Sequence, residues 1–149
     1  MTQAATTGTT FIIGYDGSDA AKRALDFSIT RAKDRNGQVH VVCVLEWSPF
    51  SFLTQEELAE RSKTRKSELD RAEKFLAPVL KQIADQGVAA SHEVRFGHAG
   101  EVLCEIAGLR PGSTIIVGRT GGNKFTDRFL GSLAMTLVQA SPVPVTVVQ

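Results

Sequence analysis

Apolar and polar positions divide the chain into short apolar runs separated by longer amphipathic stretches. Phe11-Ile-Ile-Gly-Tyr-Asp16 is a short apolar run that ends at the turn Gly17-Ser18-Asp19. Ser18 is a good N-cap, and Asp19 suits the positive end of a helix. Ala21, Ala24, Leu25, Ser28, Ile29 and Ala32 then recur at helical spacing until Asn36-Gly37 stops the helix. Val39 to Leu45 is apolar almost throughout, as a strand buried on both faces should be. An insertion carrying Trp47, Pro49, Phe50 and Phe52 leads into a long helix predicted from Gln55 to about Gln86. Its second half bears the stripe Leu69, Ala72, Phe75, Leu76, Val79, Leu80, Ile83. Its first half, Glu56 to Lys66, is mostly charged and is expected to project over an edge or into solvent. Pro78 inside the stripe predicts a kink or break.

The alternation continues to the end. Ala89 to Phe96 reads as a strand, Gly97-His98-Ala99-Gly100 as a turn, and Glu101 to Ala107 as a short helix presenting Val102, Leu103 and Ile106. Pro111-Gly112 turns the chain into a strand over Ser113 to Val117. A loop rich in glycine and polar residues precedes a helix from about Gly131 to Ala140, and Pro142 to Val148 closes as a fifth strand. Strands alternating with helices imply parallel pairing through right-handed crossovers, hence a doubly wound α/β sandwich with helices on both faces. Two prolines at the start of the last strand fit an edge position. Residues 1–10 are expected to be flexible and 11–149 to form one domain, undivided by any repeat or linker.

Composition narrows the function classes. At 149 residues with 42% hydrophobic content, the chain fills one ordinary core. Lys and Arg number 17 against 16 Asp and Glu, a net charge of +1, so the cationic excess of a nucleic-acid binder is missing. Cys43 and Cys104 lie far apart in apolar segments, outside any zinc-ligand spacing, and read as two buried reduced thiols. No apolar run approaches the roughly 18 residues that suggest a membrane span, and the start lacks the pattern of a signal peptide. These features predict a soluble, cytoplasmic protein.

In an open parallel sheet, ligands sit beyond the carboxyl ends of strands where strand order reverses. Two such ends carry chemistry here: Asp16-Gly17-Ser18 after the first strand, and Val117-Gly118-Arg-Thr-Gly121-Gly122 after the fourth. Glycines at 118, 121 and 122 permit positive φ and place no Cβ between backbone N–H groups and a ligand. Gly131-Ser132 then opens the last helix, whose free N–H groups attract an anion. The Ser132 hydroxyl suits either a phosphate oxygen or an N-cap role. From the residues alone, this is an anion site or simply a glycine-rich turn.

The spacing Gly118-x2-Gly121-x9-Gly131-Ser132 resembles the signature of the ATP-binding universal stress proteins, Gly-x2-Gly-x9-Gly-Ser/Thr, without a gap. Ile13-Gly-Tyr-Asp16-Gly-Ser18 is similar to that family's first strand and turn. Gly131-Ser-Leu133 with Ala140-Ser-Pro-Val-Pro-Val-Thr-Val-Val148 is similar to its last helix and strand. The resemblance implies a Rossmann-like single domain with a five-stranded parallel sheet in the order 3-2-1-4-5. It implies ATP as ligand, with or without Mg2+ or Mn2+. By position, Asp16 would meet the ribose or adenine side, and Val44 would line the adenine pocket with its backbone reading the base edge. Val117, Gly118 and Gly121 would wrap ribose and phosphates, and Gly131, Ser132 and Leu133 would complete the phosphate site. The family also implies a homodimer through the last strand, whose edge is otherwise unpaired.

Other residues have plainer readings. Arg119, Lys124 and Arg128 stand at variable positions and read as solvated loop charges more often than as phosphate contacts. His98 suits a turn, His40 a satisfied core or edge position, and His92 a strand surface. The segment Trp47 to Lys66 suits a pocket cover or a partner surface. The preferred function is a regulatory, stress-response protein whose ATP-bound form is sensed by a partner protein. A slow ATP hydrolase and a nucleotide-independent docking scaffold are the alternatives. The Walker A pattern and the Ser-Gly-Gly-x-Asp-Ser loop of the ATP pyrophosphatases are both missing from the sequence.

Overall fold

The computed structural model of the chain describes residues 8–46, 54–119 and 130–149. Strand β1 (Thr10–Gly14) passes through a tight turn into helix α1 (Asp19–Arg35). Gly17 supplies the turn with φ 80°, and the Ser18 hydroxyl accepts the Ala21 N–H at 3.1 Å. Asn36 closes α1 in the left-handed region (φ 51°), its N–H on the Ala32 carbonyl. The chain continues as β2 (Gln38–Leu45), α2 (Gln55–Asp85), β3 (Ala89–Phe96), α3 (Ala99–Gly108), β4 (Thr114–Gly118), α4 (Ser132–Ala140) and β5 (Val145–Val148).

All strand pairs are parallel, in the order β3-β2-β1-β4-β5. This is the doubly wound sheet expected, with Pro142 and Pro144 preceding the edge strand β5. Neighbouring residues of the central strands face opposite cores, which explains their unbroken apolar runs. Ile13, Val41, Cys43 and Ile116 pack with Leu25 and Ile29 of α1 and Leu76 and Ile83 of α2. Ile12, Val42, Ile115 and Val117 pack with Leu103 and Ile106 of α3 and Leu137 of α4.

Two local expectations need adjustment, for Pro78 and for Cys104. Helix α2 runs through Pro78 without a break. Burial of Leu76, Val79 and Ile83 contributes roughly 1.5–3 kcal/mol each, and the three together exceed the cost of about 3 kcal/mol for an internal proline. The start of α2 is fixed by a capping box: Thr54 Oγ1 accepts the Glu57 N–H, and Glu57 accepts the Thr54 N–H at 2.7 Å. Its charged first half is mostly exposed, with Arg65 5.0 Å from the Phe96 ring over the β3 edge. Both cysteines are free thiols, but Cys104 is only partly buried, because Val102, Leu103, Ile106 and Ala107 take the inward positions of α3.

The edge strand β3 is held by polar contacts on both faces. His40, 1% exposed on β2, meets Ser91 Oγ through Nδ1 and Glu93 Oε2 through Nε2, each at 2.7 Å. Glu93 also accepts from Arg95, which reaches Glu105 of α3. On the opposite face, His92 meets Glu73 of α2 at 2.7 Å. Burial pushes the His40 pKa below its ordinary 6.5, against the opposing hydrogen bond to Glu93, and Arg110 adds to the lowering. The unfolded chain therefore binds the proton better, so this group's stabilisation is complete above pH 6.5 and is lost as pH falls below it. Thermal midpoints measured from pH 7.5 to 5 should fall, and His40→Gln should flatten that slope. Equal slopes in both proteins would remove His40 as the cause.

Candidate functional site

The order of strands reverses between β1 and β4, and their carboxyl ends open into a cavity of about 450 Å³. Its walls come from the ends of β1, β2 and β4 and the first turns of α1 and α4. Beside β1, Asp16 uses Oδ1 to accept the Ser18 N–H at 2.9 Å, so one carboxylate oxygen fixes the turn while the exposed group lines the cavity. The β1–β2 ladder ends at Gly14 opposite Val42, and the Tyr15 N–H donates to the Val42 carbonyl. Alternate residues of a parallel strand send both backbone groups to the same side. Leu45 faces β3 through its carbonyl, so Val44 turns its N–H and C=O toward the mouth that β1 vacates.

On the other wall, Gly118 does not adopt a positive φ, contrary to the sequence expectation. Its glycine is required by close approach. A Cβ there would lie 2.5 Å from the Ala20 carbonyl oxygen and 2.6 Å from the Ala20 Cβ. Gly131 likewise has an ordinary extended backbone (φ −62°) and is itself the N-cap of α4. Ser132 is thus the first helical residue, and its hydroxyl is not spent on capping. The Met135 N–H is the first to bond back, to the Gly131 carbonyl. The N–H groups of Ser132, Leu133 and Ala134 precede it, at the helix end that lines the cavity.

Asp16, Val44, Val117, Gly118, Gly131, Ser132 and Leu133 therefore line one cavity. Gly121, Gly122, Lys124, Arg128 and the aromatic residues Trp47, Phe50 and Phe52 lie outside the described residues. Tyr15, Ala20 and Glu46, which no motif in the sequence marks as site residues, also line it, as does Arg119. The sequence favours a solvated charge over a phosphate contact for Arg119, but it is half-buried and pinned by its backbone. Its N–H donates to the Val148 carbonyl at 2.7 Å, and its own carbonyl accepts the Gly131 N–H at 2.8 Å. Only the folded sheet brings those partners together. His98 caps the start of α3 through its backbone position alone, exposed as expected of a turn residue.

A second cavity of about 460 Å³ shares Tyr15, Asp16, Val44 and Glu46, and extends along α2 past Cys43, Arg71 and Phe75. The Tyr15 and Phe75 rings stand 5.6 Å apart at its side. Burial, then Asp16 and Glu73, push the Cys43 thiol above its ordinary pKa, so it stays protonated at neutral pH and is a poor nucleophile. Among the described residues no group of three or more His, Cys, Asp or Glu is placed to hold a metal ion. Nor is any described helix long and apolar enough to cross a membrane.

Fold and cavity together define a doubly wound α/β domain with a cavity at the β1/β4 switch point. The model of the universal stress protein family matches residues 9–149, and the chain belongs to that family. A universal stress protein of Methanocaldococcus jannaschii is 30% identical over 140 residues, covering 93% of this chain and 80% of that protein. Among solved structures, UspA of Lactobacillus plantarum has a TM-score of 0.77 at 22% identity, covering 95% of this chain and 97% of that one. A universal stress protein in complex with cAMP gives 0.68 at 19% identity (96% and 98% covered). An Archaeoglobus fulgidus member in complex with dAMP gives 0.64 at 19% (96% and 99%).

Proposed function

We propose that this chain binds ATP in the switch-point cavity and acts as a regulatory stress-response protein, in the cytoplasm, as a homodimer sensed by a partner protein. The observation that carries the reading is convergence. A carboxylate, a strand with open backbone groups and a helix N-terminus meet around one cavity within the 300–1,000 Å³ of ordinary ligand sites. The ligands of the cAMP- and dAMP-bound relatives support an adenine nucleotide. In this reading the Val44 N–H and C=O pair with the base edge, and the second Asp16 oxygen meets the ribose. Gly118, Gly121 and the N–H groups of Ser132 and Leu133 hold phosphates, with Val117 closing the floor. A divalent cation would be held chiefly by the phosphates. It would neutralise phosphate charge.

Holding is favoured over breaking for a chemical reason. The carboxylates of the described lining, Asp16 and Glu46, stand at the base and ribose end in this reading, away from the phosphates, and no described histidine lines the cavity to serve as a base for water. The homodimer is supported by β5, whose pairing with β4 leaves its other edge open to a second copy among the described residues.

Calorimetric titration of purified protein with ATP tests the reading, together with adenine nucleotide extracted from the preparation. ATP is expected to bind at micromolar to millimolar concentration, and Gly121→Val to abolish binding while the circular dichroism spectrum is unchanged. Absence of binding to millimolar ATP, or unchanged affinity in the variant, refutes it. Sedimentation of the same samples should give twice the mass of one chain, and a monomer mass would remove the dimer.

A further inference from the structure

The described arginines differ in how their charge is used. Arg95 is paired with Glu93 and Glu105, Arg31 lies 4.9 Å from the Phe27 ring, and Arg65 lies over Phe96. Arg119 is half-buried in the wall of the switch-point cavity and has no carboxylate partner among the described residues. A guanidinium in a cavity wall offers an entering anion charged hydrogen bonds, stronger than those between neutral groups. Its position is not left to a flexible tether. The two backbone bonds to Val148 and Gly131 fix its Cα between the end of β5 and the start of α4. The side chain therefore starts beside the N–H groups of Ser132 and Leu133.

The opposite wall carries the reverse sign. Asp16 and Glu46 line the cavity at the ends of β1 and β2. An anionic group entering there is repelled, and one entering beside Arg119 is attracted, so the cavity is polarised from an acidic end to a basic end. A ligand with hydroxyls or base donors at one end and several negative charges at the other matches that polarity. Each added phosphate increases the gain at the basic end and changes nothing at the acidic one.

We propose that Arg119 makes this cavity select by phosphate number, taking nucleoside polyphosphates in preference to nucleosides, monophosphates and cyclic monophosphates. This rests on the nucleotide reading above and adds to it the residue that sets the preference. Arg119 contacts the terminal phosphates through its guanidinium, while Gly131, Ser132 and Leu133 contribute backbone donors to the same group.

The experiment titrates adenosine, AMP, ATP and inorganic tripolyphosphate separately into the wild type, Arg119→Ala and Arg119→Lys, at low and moderate salt. Wild-type protein is expected to bind ATP at least tenfold more tightly than AMP. Arg119→Ala should lose roughly 10- to 100-fold for ATP and tripolyphosphate, as removal of a charged hydrogen-bond donor does. It should lose less than about twofold for adenosine, with its thermal midpoint unchanged. Arg119→Lys should retain part of the affinity, since it keeps the charge but not the planar fork.

Equal weakening for adenosine and ATP would make Arg119 a structural residue and overturn the inference, as would no change for any ligand. Wild-type protein that binds adenosine and ATP equally well would refute selection by phosphate while preserving the nucleotide site. Binding of tripolyphosphate through Arg119 without binding of adenosine, AMP or ATP would uphold the anion contact and refute the nucleotide reading. No binding of any of the four probes refutes both.

Discussion

Replacing Gly118 with valine is expected to cost about 3 kcal/mol of stability and to remove measurable ATP binding. The position has no space for a Cβ. It would fall 2.5 Å from the Ala20 carbonyl oxygen, 2.6 Å from the Ala20 Cβ and 2.8 Å from the Ala20 carbonyl carbon. Two of those atoms are backbone in the first turn of α1, so a rotamer change cannot relieve the clash. Gly118 is itself fixed by β4, which pairs through it with Val148 of β5. The strain must therefore move the start of α1, and with it Ala20 and Ala21 in the cavity wall. Urea denaturation and ATP calorimetry on one preparation read both effects. A variant within about 0.5 kcal/mol of wild type, the usual size of a neutral surface change, would show that α1 yields freely.

Leu103→Ala should destabilise by a similar amount, roughly 2–5 kcal/mol, with a different consequence for the ligand. Leu103 is 1% exposed on the inner face of α3, in the core with Ile12, Val42 and Ile106. Its Cδ1 lies 3.1 Å from the point where a Cβ on Gly14 would stand. Gly14 lines the cavity, so the leucine supports the floor from beneath without belonging to the wall. Truncation leaves a void in a close-packed region. ATP affinity should change by less than about threefold, because no charged or hydrogen-bonding partner of the nucleotide is removed. An affinity loss as severe as that of the Gly118 variant would make the floor, and not the α1 contact, the determinant of binding. Comparing the two variants separates loss of fold from loss of site.

Local chemistry was readable from residues close in sequence. Ser18 and Asn36 terminate α1 through their own side chain and backbone, and the apolar runs of β1, β2 and β4 reflect burial on two faces. The order of strands was not readable in that way. It followed from three separated motifs resembling a known family, since periodicity cannot say which parallel neighbours meet. What stayed hidden depended on partners distant in the chain. The reason for glycine at 118 is Ala20, and the aim of Arg119 is set by Val148 and Gly131. The hydroxyl of Ser132 is released from capping because the helix begins one residue earlier than a serine cap would allow. His40 could be read as satisfied, but Ser91 and Glu93 were identifiable only once β2 and β3 were in register.

The hydrogen bond from the Gly131 N–H to the Arg119 carbonyl closes the stretch 120–130 at its base. With the bond from the Arg119 N–H to the Val148 carbonyl, it ties the edge strand β5, the end of β4 and the start of α4 through one residue. A second copy pairing along the outer edge of β5 would bear on that same residue in the cavity wall. Filling and pairing would then be linked equilibria, each shifting the other by the same factor.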